Sequence, residues 1–371
     1  MKSKRKNKVL IIHNHITPYR LPLFEELNKF CDLEVLFCKV SQKDRRWKKK
    51  QLDFYNFNHS ILNSFNLKTF IINYSLPIKL FNKKIDVIIV GDNPINIFAT
   101  FCSLIISKIR KIKFVIWTEG IDTILFHTKR SNKYIRRFLR FYRYILYNNT
   151  SYFIAYSKKA LQYLKRFNLG NKEYFSGIQI MPHSLLGNKS KEKKKENTIN
   201  ILFLGYLRKS KGADILIKAY LDLDIKNNKT QLLIGGDGPE KENLMNLAKS
   251  RSDIVFLGTI RKSEKSEFYS KGDIFVLPTL HDAWGLVINE AIYYELPIIT
   301  TNAAGASELI EMGKNGYVIP PNNIEALKNK LKILIKNDSL RQKFSENSIK
   351  MKKILNIETG IKPFIQAIFS E

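Results

Sequence analysis

The chain has 371 residues, 44% of them apolar, and 63 Lys and Arg against 33 Asp and Glu, a net charge of +30. That length and apolar content suit two domains with full cores, and three cysteines without a CxxC pair exclude a disulfide framework or a thiolate zinc site. The positive excess, part of which goes with a general richness in Lys, Asn and Ile, points to an anionic partner: a membrane surface, a nucleic acid or an anionic substrate.

The start, MKSKRKNKVLIIHNH, is basic, but its apolar run covers only residues 9–12 before His13 and Asn14, so it does not read as a signal peptide. The longest apolar stretch, residues 95–107, is too short to span a bilayer. The expectation is a cytoplasmic protein, soluble or held peripherally at the inner face of the cell membrane. Residues 8–12 read as a buried strand, 21–30 as a helix and 33–38 as a second strand, the opening of a Rossmann-like half. Arg20 is placed to meet an anion or to sit on the surface at the helix start. Residues 45–50, RRWKKK, read as a solvated loop. A strand at 86–90 ends at Gly91 and Asp92, an apolar helix follows, and a strand at 114–117 ends at Thr118, Glu119 and Gly120.

Residues 131–147, SNKYIRRFLRFYRYILY, put Lys133, Arg136, Arg137, Arg140 and Arg143 at helical spacing, with Ile135, Phe138, Leu139, Tyr142 and Ile145 opposite. A basic helix so rich in aromatics fits an anionic membrane surface; a core helix with a solvated basic face is the alternative. No RNA- or DNA-binding motif is present, and no nucleic-acid partner is expected. A strand at 152–156 and a helix capped by Ser157 follow. Residues 189–197, KSKEKKKEN, have no apolar residue and read as a charged linker.

The second half starts with a strand at 199–204. Gly205 permits a tight turn after it, and Arg208 and Lys211 follow in GYLRKSKG. A basic pair there would offset the charge that develops on a departing diphosphate; a surface cluster is the alternative. A strand at 232–234 leads to the glycine-rich loop 235–239, and a strand at 255–257 leads to Gly258, Thr259 and Ile260. Residues 274–300, IFVLPTLHDAWGLVINEAIYYELPIIT, read as strand, loop, helix and strand, the unit of a parallel sheet. Asp282 lies in that loop, and Glu290 lies about one turn into the helix that Gly285 opens. The free amides near Gly285 and Leu286 suit phosphate, and carboxylates suit vicinal hydroxyls, so the pair suggests a nucleotide sugar. The alternative has Asp282 capping the helix and Glu290 solvated. Gly305, Ser307 and Glu308 are expected to begin a helix, as are residues 324–335 and 361–369. Asp222, Leu223 and Asp224 read as a solvated helix end, and no residue set has metal-ligand spacing.

DAWGLVINEA, with LPIIT and GASELI after it, resembles the signature of family 4 glycosyltransferases, the glycosyl transferases of group 1. Those are retaining enzymes whose motif is an acid, seven residues and a Glu, usually Glu at both ends. Here Asp282 takes the first place and Glu290 the second. GYLRKSKG is similar to a family stretch in which Lys211 matches the lysine on the donor diphosphate, while Tyr206 falls at the family's arginine and Arg208 two residues later. TPYRLPLFEEL resembles the family's opening without its usual pair of glycines. WTEG has Glu119 where relatives often carry a histidine, with His127 a few residues on.

The resemblance implies an α/β protein of GT-B fold, two Rossmann-like parallel-sheet domains facing an interdomain cleft. Residues 1–188 would bind the acceptor, 189–197 would link, 198–355 would bind the nucleotide sugar, and 356–371 would form a helix crossing back to the first domain. It implies transfer of a hexose from a UDP- or GDP-hexose to a glycan or lipid-linked acceptor in surface polysaccharide synthesis, with no bound metal or cofactor. Glu290 would hold the ribose and Asp282 the hexose. Lys211 and Arg208, with the turn at Gly205 and the amides of Gly285 and Leu286, would hold the diphosphate. The backbone at Thr259 and Ile260 would meet the base, and Glu119 the acceptor. A nucleotide-sugar epimerase of the same architecture, and a basic protein that binds nucleic acid or membranes without catalysis, are the other classes.

Overall fold

A computed structural model of the chain describes residues 5–40, 49–67, 70–120, 133–187, 198–223, 229–249 and 251–370. The chain divides into two α/β units, Met1–Ile178 with Ile357–Glu371, and Gln179–Asn356.

The first unit is built on β1 (Lys8–His15), β2 (Asp32–Lys39), β3 (Asn58–Ile61), β6 (Val87–Gly91), β7 (Lys113–Thr118), β8 (Tyr152–Ala155) and β9 (Glu173–Ser176). Every pair is parallel and the order is β3-β2-β1-β6-β7-β8-β9. A separate hairpin joins β4 (Phe65–Leu67) to β5 (Phe70–Ile72). Val9, Leu10, Ile11 and Ile12 are all buried, as a parallel strand covered on both faces requires. Val9, Ile11 and Val35 pack with α1 (Leu21–Asn28). Leu10, Ile12 and Leu36 face the other way, onto α2 (Leu76–Asn82), α3 (Ile97–Arg110), α4 (Lys133–Asn148) and α5 (Lys158–Lys165).

The second unit has β10 (Ile199–Leu204), β11 (Thr230–Gly235), β12 (Ile254–Gly258), β13 (Ile274–Leu277), β14 (Ile298–Thr301) and β15 (Gly316–Ile319). They are parallel, in the order β12-β11-β10-β13-β14-β15. Its helices are α6 (Ala213–Leu221), α7 (Lys241–Leu247), α8 (Lys265–Ser270), α9 (Leu286–Tyr293), α10 (Ile324–Lys336) and α11 (Asp338–Ile354). The last helix, α12 (Ile357–Phe369), belongs to the first unit, where Ile361, Phe364 and Ile368 join the core of Val9 and Ile11.

The division falls after residue 178, ten residues ahead of the expected end of the first domain at 188. The reason is local. Asn289 Nδ2 donates to the Gln179 carbonyl at 2.9 Å, Tyr294 OH donates to that of Gly187 at 3.0 Å, and the His183 ring lies 4.7 Å from Tyr293. Residues 179–187 are thus fastened to α9 and its end. The linker 189–197 lies outside the described residues. The helix expected from Gly305 is a 3-10 turn, Gly305–Leu309. Asn315 ends it by donating to the Leu309 carbonyl and accepting from the Glu311 amide.

Candidate active site

In both sheets the strand order reverses beside the first strand, between β1 and β6 and between β10 and β13. Such reversals open a crevice at the carboxyl ends of the strands, where ligands of open α/β sheets bind. In the first unit this place holds a pocket lined by His13, Arg20, Asp92, Trp117, Glu119 and Tyr156 among others. Arg20 is 8% exposed, so it is no surface residue. Its Nη2 donates to Glu119 Oε1 at 3.1 Å and its Nη1 to His13 Nε2. The guanidinium lies 4.7 Å from the Trp117 ring centre and 4.8 Å from that of Tyr156, a cation packed between aromatic faces.

His13 Nδ1 donates to the His15 carbonyl at 2.8 Å, which leaves Nε2 to accept from Arg20. Burial first, then the charge of Arg20, holds this imidazole well below its ordinary pKa. The unfolded chain takes up this proton near pH 6.5 and the folded protein only at lower pH. The neutral imidazole therefore costs nothing above that value. Below it, stability is lost by about 1.4 kcal/mol per pH unit. The melting temperature should fall more steeply between pH 6.5 and 5 in the wild type than in His13→Asn. Parallel curves would show that His13 is not the group responsible.

Asp92 lies just past β6. Its Oδ2 accepts from Thr118 Oγ1 at 2.6 Å and Tyr147 OH at 2.5 Å, and Arg143 Nε stands 3.9 Å away. This corrects the expected place of Arg143 on the basic face of helix 131–147, whose described part begins at Lys133. Arg143 is 1% exposed and Tyr142 and Tyr147 are buried with it, whereas Phe138 is exposed. Asp92, distant in sequence, draws Arg143 inward.

In the second unit the strand ends are stitched together. Gly205 N donates to Gly235 O at 3.1 Å, and Gly236 N to Gly258 O at 2.6 Å. A Cβ on Gly236, at φ 133°, would fall on the Gly205 carbonyl, so only glycine lets these loops close up. After β13 the loop turns back on the 3-10 turn Lys209–Lys211: Thr279 Oγ1 and Leu280 N both donate to Ser210 O, at 2.7 and 2.8 Å. Gly212, at φ 70°, lies where an added Cβ would strike the Pro278 carbonyl. This close packing sets Lys211 Nζ to donate to Asp282 Oδ2. The two side chains are 15% and 14% exposed. Asp282 is fixed through its backbone, with N to Ala303 O at 3.2 Å and O accepting from Gly305 N at 3.1 Å. A Cβ on Gly285 would lie 3.6 Å from Asp282 Oδ2 and one on Gly205 4.0 Å from Lys211 Cγ. Gly205, Lys211, Asp282 and Gly285 therefore converge.

Glu290 sits in the second turn of α9 and is buried. It accepts from Lys265 Nζ at 2.6 Å and from Tyr269 OH at 2.9 Å. Tyr269 stacks on Tyr294 with centroids 5.0 Å apart. Burial, then the Glu290 charge, pushes the Tyr269 hydroxyl well above its ordinary pKa, so it remains a donor.

Residues 187–351 match the family described as Glycosyl transferases group 1. That stretch belongs to the group 1 glycosyltransferases. Among sequence relatives, a Haemophilus influenzae protein called an uncharacterized glycosyltransferase is 34% identical, over 50% of this chain and 51% of its own length. The Staphylococcus aureus capsular polysaccharide biosynthesis glycosyltransferase CapM is 30% identical over 47% of each. The chain thus spans about half the length of these two relatives. Among solved structures, Anabaena HepE in complex with UDP superposes with a TM-score of 0.75 at 16% identity, over 97% of this chain and 99% of that one. The two parallel-sheet units have the GT-B fold.

The sites foreseen in the sequence divide into two sets. Lys211 and Asp282 meet each other beside Gly205, Gly285 and the first residue of α9, Leu286. Glu290 engages other partners, Lys265 and Tyr269, neither of which carries a signal in its own neighbourhood. Arg208 precedes the Lys209–Lys211 turn with its Nε buried and without a hydrogen-bond partner. Thr259 is exposed, and Ile260 packs where a Gly235 side chain would be. Glu119 is held by Arg20, and His127 lies outside the described residues. His13, Trp117 and Tyr156 went unseen because each sits within or beside an apolar strand.

Proposed function

We propose that this group 1 glycosyltransferase is a retaining, metal-independent hexosyltransferase that moves a hexose from a UDP-hexose to a glycan or lipid-linked acceptor in surface polysaccharide synthesis. The observation that carries the reading is the Lys211–Asp282 pair at the β10/β13 reversal, beside the start of α9. One cation and one carboxylate side by side at a strand-order reversal suit a diphosphate next to a hexose, which supports the reading. The UDP bound by HepE supports the base, and CapM supports the polysaccharide setting.

In this reading the second unit binds the donor and the first the acceptor. The bond from the hexose C1 to the β-phosphate oxygen breaks. The acceptor oxygen bonds to C1 on the same face, and its proton passes to the leaving phosphate. Lys211, Arg208 and the amides at Gly285 and Leu286 offset the charge that develops on the diphosphate. Asp282 turns from Lys211 to the hexose hydroxyls. Glu290 keeps acceptor capacity for the ribose, because a carboxylate has about four lone-pair sites and Lys265 and Tyr269 occupy two. The backbone at Thr259 and Ile260 meets the base, and Glu119 receives the acceptor hydroxyl. A lipid-linked acceptor lies at a membrane, which the basic helix α4 would touch from the cytoplasmic side.

Thermal unfolding with UDP, GDP, ADP and dTDP in the presence of EDTA tests the donor half. At a hundredfold excess over Kd, a ligand of the native state adds about 2.7 kcal/mol. UDP should raise the melting temperature by several degrees, and the other nucleotides by less. A well-folded sample indifferent to all four would overturn the reading.

A further inference from the structure

The helices on the two faces of the first sheet differ in charge. On the Leu10 face, α2, α3, α4 and α5 contain no Asp or Glu, in a chain that has 33. On the Val9 face, α1 carries Glu25 and Glu26, and α12 carries Glu358. The acid-free helices also expose apolar side chains away from the sheet. Ile78 and Phe81 do so on α2, Ile105 and Ile109 on α3, and Tyr134, Phe138, Phe141 and Tyr144 on α4. Phe141 is 61% exposed and Ile109 64%. Lys108, Lys133, Arg137 and Arg140 are exposed among them. The three helices are neighbours: α2 packs on α3, and Phe101 of α3 meets Tyr142 of α4 ring to ring at 5.5 Å.

We propose that the outer faces of α2, α3 and α4 together form a docking surface for an anionic lipid bilayer. Aromatic and branched apolar side chains enter the headgroup boundary while Lys and Arg attract the lipid phosphates, the combination that holds helices flat on a membrane. A second copy of the chain is a poor occupant. It would bring two cationic surfaces together with no carboxylate on α2, α3 or α4 to pair them. Among the described residues no helix is long and apolar enough to cross a membrane, which fits contact in the plane of the surface. The inference widens the single-helix contact of the proposed function to three helices. It rests on that reading only for its purpose, the capture of a lipid-linked acceptor.

The test is co-sedimentation of the full chain with vesicles of phosphatidylcholine alone and with vesicles one-third phosphatidylglycerol. The protein should pellet with the anionic vesicles and remain in solution with the neutral ones. Phe138→Ser with Phe141→Ser, Ile105→Ser with Ile109→Ser, and Arg137→Gln with Arg140→Gln should each weaken partitioning about tenfold or more. The melting temperature and its shift with UDP should stay as in the wild type. No pelleting of the wild type would sink the proposal. So would an α3 double variant that pellets normally, because the contact would then be α4 alone. Light scattering that shows a dimer broken by these variants would assign the face to a second copy. Poly(U) binding lost in the same variants, without vesicle binding, would assign it to nucleic acid. Vesicle binding without a UDP shift would leave the docking surface standing and remove the donor chemistry.

Discussion

Glu290→Ala should remove the UDP-induced stabilisation, lower transfer by about a hundredfold or more and destabilise the free protein by about 2 kcal/mol. The stability loss follows from the partners left behind. Tyr269 is fully buried and donates to Glu290. Without the carboxylate its hydroxyl has only a longer contact, 3.5 Å to the Val287 carbonyl, and an unsatisfied buried hydroxyl costs about 1–3 kcal/mol. Lys265 adds less, because its side chain is 23% exposed and can turn to water. Glu290→Gln separates the structural from the binding role. An amide oxygen can still accept from Tyr269, so most of the melting temperature should return. It has fewer acceptor sites and no charge, so transfer should remain at least about tenfold down. Full activity in Glu290→Gln would mean that the carboxylate serves only to brace α8 against α9.

The fold was legible where strands are buried on both faces. β1, β6, β10 and β13 each hold an apolar run of four residues, VLII, VIIV, ILFL and IFVL, ended by a Gly, Pro or polar loop. β3 reads NHSI and β9 reads EYFS. These are the edge strands of the first sheet, half solvated, and they carry no apolar run to betray them. The site was legible to the extent that its geometry is local. Glycines at 205, 212 and 285 mark close approaches along the chain, but the meeting of Lys211 with Asp282, 71 residues apart, did not show in the sequence. Contacts between distant segments left no trace. Periodicity alone puts Arg143 on the basic face of α4, and only the fold brings Asp92 beneath it. The same holds for Arg20, whose partner Glu119 closes a different strand.

Lys211→Ala and Asp282→Asn should move UDP binding in opposite directions. In the proposed reading Lys211 would supply the charge that offsets the leaving diphosphate, and its loss should slow transfer by about a hundredfold to a thousandfold and weaken UDP. Asp282 already holds Lys211 in the free protein. A diphosphate reaching Lys211 has to take the place of that carboxylate. Asparagine accepts a hydrogen bond but carries no charge, so Lys211 is released more readily, and UDP should bind up to about tenfold more tightly. Transfer should nevertheless fall by about tenfold or more, because the group proposed to hold the hexose hydroxyls has become a weaker acceptor. Asp282→Asn should disturb the fold little, because the amide oxygen can still accept from Lys211, whereas Lys211→Ala leaves the mostly buried Asp282 carboxylate without its cation and should cost about 1–3 kcal/mol. Calorimetric titration of UDP into the two variants distinguishes the roles. Tighter binding in Asp282→Asn alone marks Asp282 as the competitor that the diphosphate displaces. Equal weakening in both would instead mark Asp282 as the residue that aims Lys211, and the exchange of partners at this carboxylate would have to be abandoned.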